Sequence, residues 1–303
     1  MLPVKWLAGA YQRLVGRLRR ITSSGRYLPE IDGLRFVAIF GVFLIHLRIY
    51  LANQAALPLA TPVADDWLTR LADHGHYGVQ LFFAISGFIL ALPFAAHHLK
   101  GKPKVSLRSY YLRRVTRLEP PYLVSMALLF GLLVLAGRSA RELFPHLLAS
   151  CLYVHNLVYG EGSAINWVAW SLEIEVQFYL LAPLLGELFR LRRRLVRRLA
   201  IAALGAAATL LVWGHKVYGY ALPWTVLHEL QFFLVGFLLA DVYLSDWDER
   251  PQGHWGWDLV SLAGWPSLLY AMPRVFQVSG IFGSSSIARE QSATALSDWP
   301  SLW

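Results

Sequence analysis

The sequence predicts an all-α protein, a polytopic bundle of transmembrane helices, and three observations carry that prediction. Hydrophobic residues make up 56% of the 303 residues and charged residues only 16%, with a mean hydropathy of +0.44, which is too apolar for a soluble domain. Apolar runs recur at about 33–52, 78–96, 120–137, 167–188, 199–214, 222–243 and, more weakly, 258–272, which gives about seven recognisable spans, each near the length a helix needs to cross a bilayer. The basic residues fall in short blocks beside these runs, as charges that orient spans do. The net charge of +9 is therefore expected to meet anionic lipid headgroups, with no nucleic-acid partner. The only cysteine, Cys151, excludes an internal disulfide and a zinc cluster.

Taken in order, residues 1–29 carry Lys5, Arg13, Arg17, Arg19, Arg20 and Arg26 among Leu2, Trp6, Leu7, Leu14 and Leu18. This reads as a basic amphipathic cytoplasmic segment, because no uninterrupted apolar core follows the first charges as it would in a cleaved signal. The first span holds Arg35 near one end and His46 near the other. Eleven steps of about 100° bring both onto one face, about 16 Å apart. The loop 53–77, with Asp65, Asp66 and Asp73 against Arg70, is expected outside. The loop 97–118, with Lys100, Lys102, Lys104, Arg108, Arg113, Arg114 and Arg117, is expected inside.

The third span is expected to open on Pro120 and Pro121, since the N–H groups of a first helical turn are unpaired anyway. The stretch LFPHLLASCLYVHNLVY, 143–159, is apolar enough to count as a span. If it crossed, however, the six arginines of RLRRRLVRR, 190–198, would be left outside, so it reads as an external re-entrant or interfacial segment. The N-terminus and the connections 97–118, 189–198 and 244–257 then lie inside, and 53–77, 138–166 and 215–221 outside. Residues 273–303 contain no run long enough to cross and read as a polar tail.

Two groups of residues carry chemistry. Ionisable side chains inside a span are costly and tend to face cavities, and a neutral imidazole such as that of His46 can take a proton from a hydroxyl and return it. The plainer readings are a histidine bonded to a neighbouring carbonyl and, for Arg35, an end-of-helix anchor. The second group is WVAWSLEIEVQFYLLAPLL, 167–185, where Ser171, Glu175 and Tyr179 fall at i, i+4 and i+8, with Glu173 and Gln177 beside them. Either carboxylate could support an imidazolium, or could sit at the outer interface and meet water. Arg114 and Arg117 suit bidentate phosphate contacts or serve only to orient the span.

The blocks EIDGLRFVAIFGVFLIH, GVQLFFAISGFIL, YYLRRVTRLEPPYLV and NWVAWSLEIEVQFYLLAPLL resemble, in that order, the signatures of the acyltransferase-3 family of membrane acyltransferases, over roughly residues 29–243. The family transfers acyl groups, often acetyl from acetyl-CoA, to sugars of surface polysaccharides, lipopolysaccharide and related acceptors. The resemblance implies that Arg35 and His46 are its Arg–x10–His pair and that Arg114 and Arg117 are its cytoplasmic Arg–x–x–Arg. It also implies that Ser86, Gly87 and Phe88 belong to its second-span motif, and Trp170, Ser171, Glu175, Phe178 and Tyr179 to its later acidic and aromatic block. Glu173 departs from the pattern, standing where a small polar residue is usual. The family's further C-terminal spans are absent from the sequence pattern, which raises the expectation of a truncated or aberrant tail after a transmembrane domain at 30–272.

The resulting expectation is an enzyme of the inner (cytoplasmic) membrane, an acyltransferase acting on groups other than aminoacyl groups. It would move an acyl group, in the family's common case acetyl, from acyl-CoA to a hydroxyl of an envelope glycan or glycolipid. His46, as base or transient acyl carrier, and Glu175 in its support are the expected catalytic residues, Arg35, Arg114 and Arg117 hold the donor, and Ser86, Trp170, Ser171 and Tyr179 support the acceptor or the site. No metal is expected, and the partners are membrane lipid and the glycan acceptor. The rival readings are a proton-coupled transporter, in which His46 and the buried carboxylates relay protons, and an inactive truncated membrane protein.

Overall fold

The structure is a computed structural model that describes residues 28–55, 72–219 and 224–248, together with Trp255 and Leu259. Residues 1–27 of the basic segment, the weak seventh span apart from Leu259, and the tail lie outside the described residues. Eight α-helices are described: α1 (Pro29–Ala55), α2 (Tyr77–Lys100), α3 (Leu107–Leu135), α4 (Ala140–Cys151), α5 (His155–Tyr159), α6 (Trp170–Gly186), α7 (Arg194–Tyr218) and α8 (Val226–Ser245). Among the described residues, six helical segments are long and apolar enough to cross a membrane: Glu30–Leu51, His74–Lys100, Leu107–Leu135, Trp167–Arg190, Arg194–His215 and Val226–Ser245. They correspond to the first six apolar runs, and the chain is a multi-pass membrane protein.

The centre of the bundle is α2 against α8, with α6 packed on both. Apolar side chains gain little from leaving lipid for another helix, so association rests on close packing of backbones and rings. The contact has that form. A Cβ on Gly87 would lie 2.1 Å from the Phe233 carbonyl oxygen, and one on Gly236 would lie 2.2 Å from that of Ala84, so only glycine lets these two backbones meet. Phe233 then stacks on Phe178 at 3.9 Å and on Phe83 at 4.7 Å. In the same way α1 packs on α2, where Gly78 leaves room for the Ala38 carbonyl, while most of the α1 surface stays open.

One expected boundary is wrong. The third span does not open on Pro120; α3 starts thirteen residues earlier, at Leu107, where the Ser106 hydroxyl caps the helix by accepting the Ser109 amide at 3.4 Å. Pro120 and Pro121 therefore lie inside a continuous helix and leave the carbonyls of Thr116 and Arg117 without an i+4 donor. Prolines in spanning helices are tolerated because neighbouring groups satisfy the freed carbonyls, which is why a proline pair was a poor start signal here.

The segment 143–159 does not cross. α4 starts under a Ser139 cap and runs back along α3, with Leu143 and Leu147 packed near Met126, Leu129 and Leu133. It ends where the Tyr122 hydroxyl donates to the Ser150 carbonyl at 2.9 Å. Tyr122 lies thirteen residues before the end of α3, about 20 Å into the span. The segment thus folds as a hairpin beside α3 that turns at Leu152–Val154 and returns through α5. Gln177 of α6 holds the turn by donating to the Tyr153 carbonyl at 3.4 Å. Its other amide atom accepts the Val226 amide at the start of α8, 2.9 Å away.

Ion pairs gather at one end of the bundle. Asp241, fully buried, accepts from Arg197 and, at 2.8 Å, from Arg198. Asp246 pairs with Arg198 at 2.7 Å and with Arg194 at 3.2 Å, and Lys100 pairs with Asp248. The arginine block at 190–198 is therefore more than a topogenic signal, since Arg197 is 1% exposed. The end of α2, the start of α7 and residues 246–248 share this end. At the other end Trp170 stacks on Trp224 at 4.9 Å, and Arg48 lies 3.6 Å from Asp73.

Candidate functional site

The polar stripe of α6 faces the junction of α2 and α3. Glu175 is 6% exposed, and its carboxylate accepts the Ser86 hydroxyl at 2.8 Å and is hydrogen-bonded by the Tyr179 hydroxyl one turn on. The Tyr110 hydroxyl of α3 donates to the Tyr179 carbonyl at 3.2 Å. One helical turn beyond Tyr110, Arg114 lays its guanidinium over the Tyr110 ring, 4.4 Å from the centroid, and donates to the Tyr110 carbonyl at 3.4 Å. From there its charge acts on Glu175 and Tyr179. The four helical positions meet because Tyr110 and Arg114, like Glu175 and Tyr179, stand four residues apart on their helices. The product is a buried acid held by two hydroxyl donors, with a cation close by.

Chemically, a buried carboxylate can hold a fixed negative charge, or accept a proton, in a region that excludes bulk water. Arg114 lies seven residues inside α3, about 10 Å from its first residue, and not in a loop before the third span as the sequence suggested. Arg117 follows one turn later on the same helix; its side chain lies outside the described residues. Ser171 sits one turn before Glu175 on α6. Trp170 stacks on Trp224 and meets Phe83 edge-on at 6.3 Å, walling the site at the start of α6.

His46 is exposed on α1, which packs on α2 and on the 74–76 turn, whereas the carboxylate of Glu175 accepts from Ser86 of α2. Arg35 lies on the same unbroken helix as His46, eleven residues earlier, 3.7 Å from the Asp32 carboxylate and with its Nε buried and without a hydrogen bond. The axial relation between Arg35 and His46 is thus kept, while the expected partnership of Glu175 with His46 is not a direct contact.

Several polar residues were given no partner by the sequence, or, like Glu173, were allowed to meet water at an interface. Tyr110 was within a quoted block, and its i, i+4 relation to Arg114 becomes a signal once the helix is known to start at Leu107. Arg48, two residues from His46, is the residue by which the C-terminal half of α1 is tied to Asp73. Glu173 is fully buried and accepts the Asn156 amide at 3.0 Å. His146 and His155 share a hydrogen bond of 2.8 Å, and His155 Nδ1 faces the Glu161 carbonyl at 3.2 Å. No group of three or more metal-ligating side chains occurs among the described residues.

A family model described as an acyltransferase domain, that of the acyltransferase-3 family, matches residues 28–284. The O-acetyltransferase OatA of Staphylococcus aureus strain NCTC 8325 / PS 47 is 31% identical over 172 residues, covering 53% of this chain and 25% of the relative. OatA of Staphylococcus aureus strain COL matches to the same extent. The chain thus spans about a quarter of the length of the curated relatives it matches. No solved structure matches it.

Proposed function

We propose, from the premise that this chain belongs to the acyltransferase-3 family, that it is an integral membrane O-acyltransferase using acyl-CoA as donor and a hydroxyl of an envelope glycan or glycolipid as acceptor. Acetyl is the acyl group we assign, because the similar relatives are named O-acetyltransferases. The observation that carries the reading is the buried cluster of Ser86, Glu175, Tyr179 and Arg114, an acid and a cation held by hydroxyl donors between three spans.

In this reading the protein lies in the inner membrane with its N-terminus and the ion-paired end in the cytoplasm. Arg114 and Arg117 draw the donor phosphates toward the inner half of α3, and Arg35 adds a third cation at the same end of α1. The imidazole of His46 takes the proton of the acceptor hydroxyl as its oxygen attacks the thioester carbonyl carbon. The carbon–sulfur bond breaks, and the CoA sulfur leaves with the proton that His46 returns. Glu175 acts through the electrostatics of the buried cluster and not by a direct bond to His46.

A transport reading draws on one specific observation, the broken helix α4–α5 at membrane depth, since helices interrupted there bind cargo in transporters. The two readings part on one experiment. Membranes containing the chain are incubated with labelled acetyl-CoA and a panel of envelope glycans, and label on a glycan supports acyl transfer. Label that stays on CoA, together with proton-coupled uptake of an unmodified glycan, would support transport.

A further inference from the structure

Tyr110 grips Arg114 in two ways and is itself held by two other helices. It is fully buried. Its hydroxyl donates to the Tyr179 carbonyl of α6 at 3.2 Å, and its ring meets the Phe94 ring of α2 edge-on at 5.5 Å. A ring held by α2 at its edge and by α6 at its hydroxyl keeps one orientation. Over it lies the Arg114 guanidinium, 4.4 Å from the centroid, while Arg114 Nη1 donates to the Tyr110 carbonyl at 3.4 Å. A long side chain on a helix points back toward the N-terminus, so the residue four places earlier is the one whose face and carbonyl it reaches.

The arrangement leaves the cation oriented and available. One N–H of the guanidinium goes to the Tyr110 carbonyl, and no Arg114 nitrogen is both buried and unpaired, in contrast to the Nε atoms of Arg35 and Arg48. The remaining donors of the fork are thus open to a ligand. Arg108 and Arg113, on the same helix, are exposed, whereas Arg114 is half-buried. An exposed arginine loses its rotamer freedom when it binds, while one already laid on a fixed ring has little left to lose. The complement of an oriented guanidinium fork is a pair of anionic oxygens, as a phosphate presents.

We infer that Tyr110 is a positioning residue for donor binding: its ring and carbonyl hold the Arg114 guanidinium in one orientation, and the open fork meets the phosphates of acyl-CoA already aligned. The inference rests on the donor proposed above. Its test measures the dissociation constants of CoA and of pantetheine, which carries no phosphate, for the whole chain in lipid nanodiscs. Tyr110→Leu weakens CoA binding about 3- to 10-fold, the value of ordering one long side chain, and leaves pantetheine binding as it was. Tyr110→Phe keeps the ring and restores the wild-type affinity for CoA. In an Arg114→Ala background Tyr110→Leu adds no further loss. Tyr110→Met is the second ringless variant, used where leucine impairs insertion. Four results would overturn the assignment: no CoA binding by the wild type, wild-type affinity in the ringless variants, an equal loss in Tyr110→Phe, which would give the effect to the bond with the Tyr179 carbonyl, or an equal loss for pantetheine or in the Arg114→Ala background, which would make it a packing effect. Transfer of labelled acetyl to a glycan is assayed on the same protein. CoA binding that depends on Tyr110 without transfer would remove the acyltransferase reading and keep the positioning role, whereas transfer without that dependence would remove the positioning role alone.

Discussion

Arg114 is where residue chemistry and helix geometry meet most closely. A charge-assisted contact to a donor phosphate is worth about 1.5–3 kcal/mol, so Arg114→Ala is expected to raise the Michaelis constant for acyl-CoA roughly 10- to 100-fold and leave that for the acceptor unchanged. Arg114→Lys should recover only part, because lysine keeps the charge but loses both the fork and the planar stack over Tyr110. Steady-state kinetics with donor and acceptor varied separately measure this, and a rise confined to the acceptor constant would remove Arg114 from donor binding. Glu175→Gln keeps an oxygen to accept from Ser86 and Tyr179 while losing the charge, so it is expected to lower kcat with the protein still inserted. The spacing of Ser171, Glu175 and Tyr179 was legible because it lies along one helix. The pairing of Glu175 with Ser86, 89 residues away, was not, since contacts between helices leave no period in a sequence.

At the scale of elements, the spans were legible from length and hydropathy, and charge placement alone set 143–159 apart from them. The start of α3 was misread because a basic amphipathic stretch and two prolines hid a helix that Ser106 caps at 107. Topology is testable by replacing Cys151 and placing single cysteines at Ala164 and Leu195, both exposed. Ala164→Cys should react with an impermeant maleimide added outside, and Leu195→Cys only after permeabilisation; outside labelling of Leu195→Cys would invert the later spans. The hairpin should also respond to pH. Burial lowers the His155 pKa below its ordinary 6.5, and neighbouring His146 lowers it further, against the Glu161 carbonyl contact that raises it. A depressed histidine pKa means that the unfolded segment binds the proton first, so stability is complete above about pH 6.5 and falls as pH drops below that value. Hydrogen exchange of residues 140–160 is therefore expected to speed up between pH 7 and pH 5 relative to α8, and a His155→Gln variant should lose that pH dependence.

For the whole molecule, the ion-paired end couples α7 and α8 through the buried Asp241. Removing one partner of such a pair leaves an unpaired buried charge and costs about 3–5 kcal/mol, so Asp241→Asn should lower the melting temperature in detergent, whereas Arg190→Gln at the exposed rim should not. Neither Arg197 nor Asp241 was readable as a partner, because the arginine block already had a sufficient explanation as a topogenic signal. The architecture sets a cationic end, a buried acid midway and a histidine toward the opposite end, which suits a donor entering from one side and an acceptor from the other. The most direct test is acyl transfer in inside-out vesicles holding the wild-type chain or His46→Ala, with labelled acetyl-CoA at the cytoplasmic face and envelope glycans enclosed. The account predicts label on a glycan hydroxyl with the wild type and a loss of 100-fold or more with an equally inserted His46→Ala protein, on the order expected for removing a general base. Undiminished transfer by His46→Ala, or no transfer to any glycan by correctly inserted wild type, would contradict it.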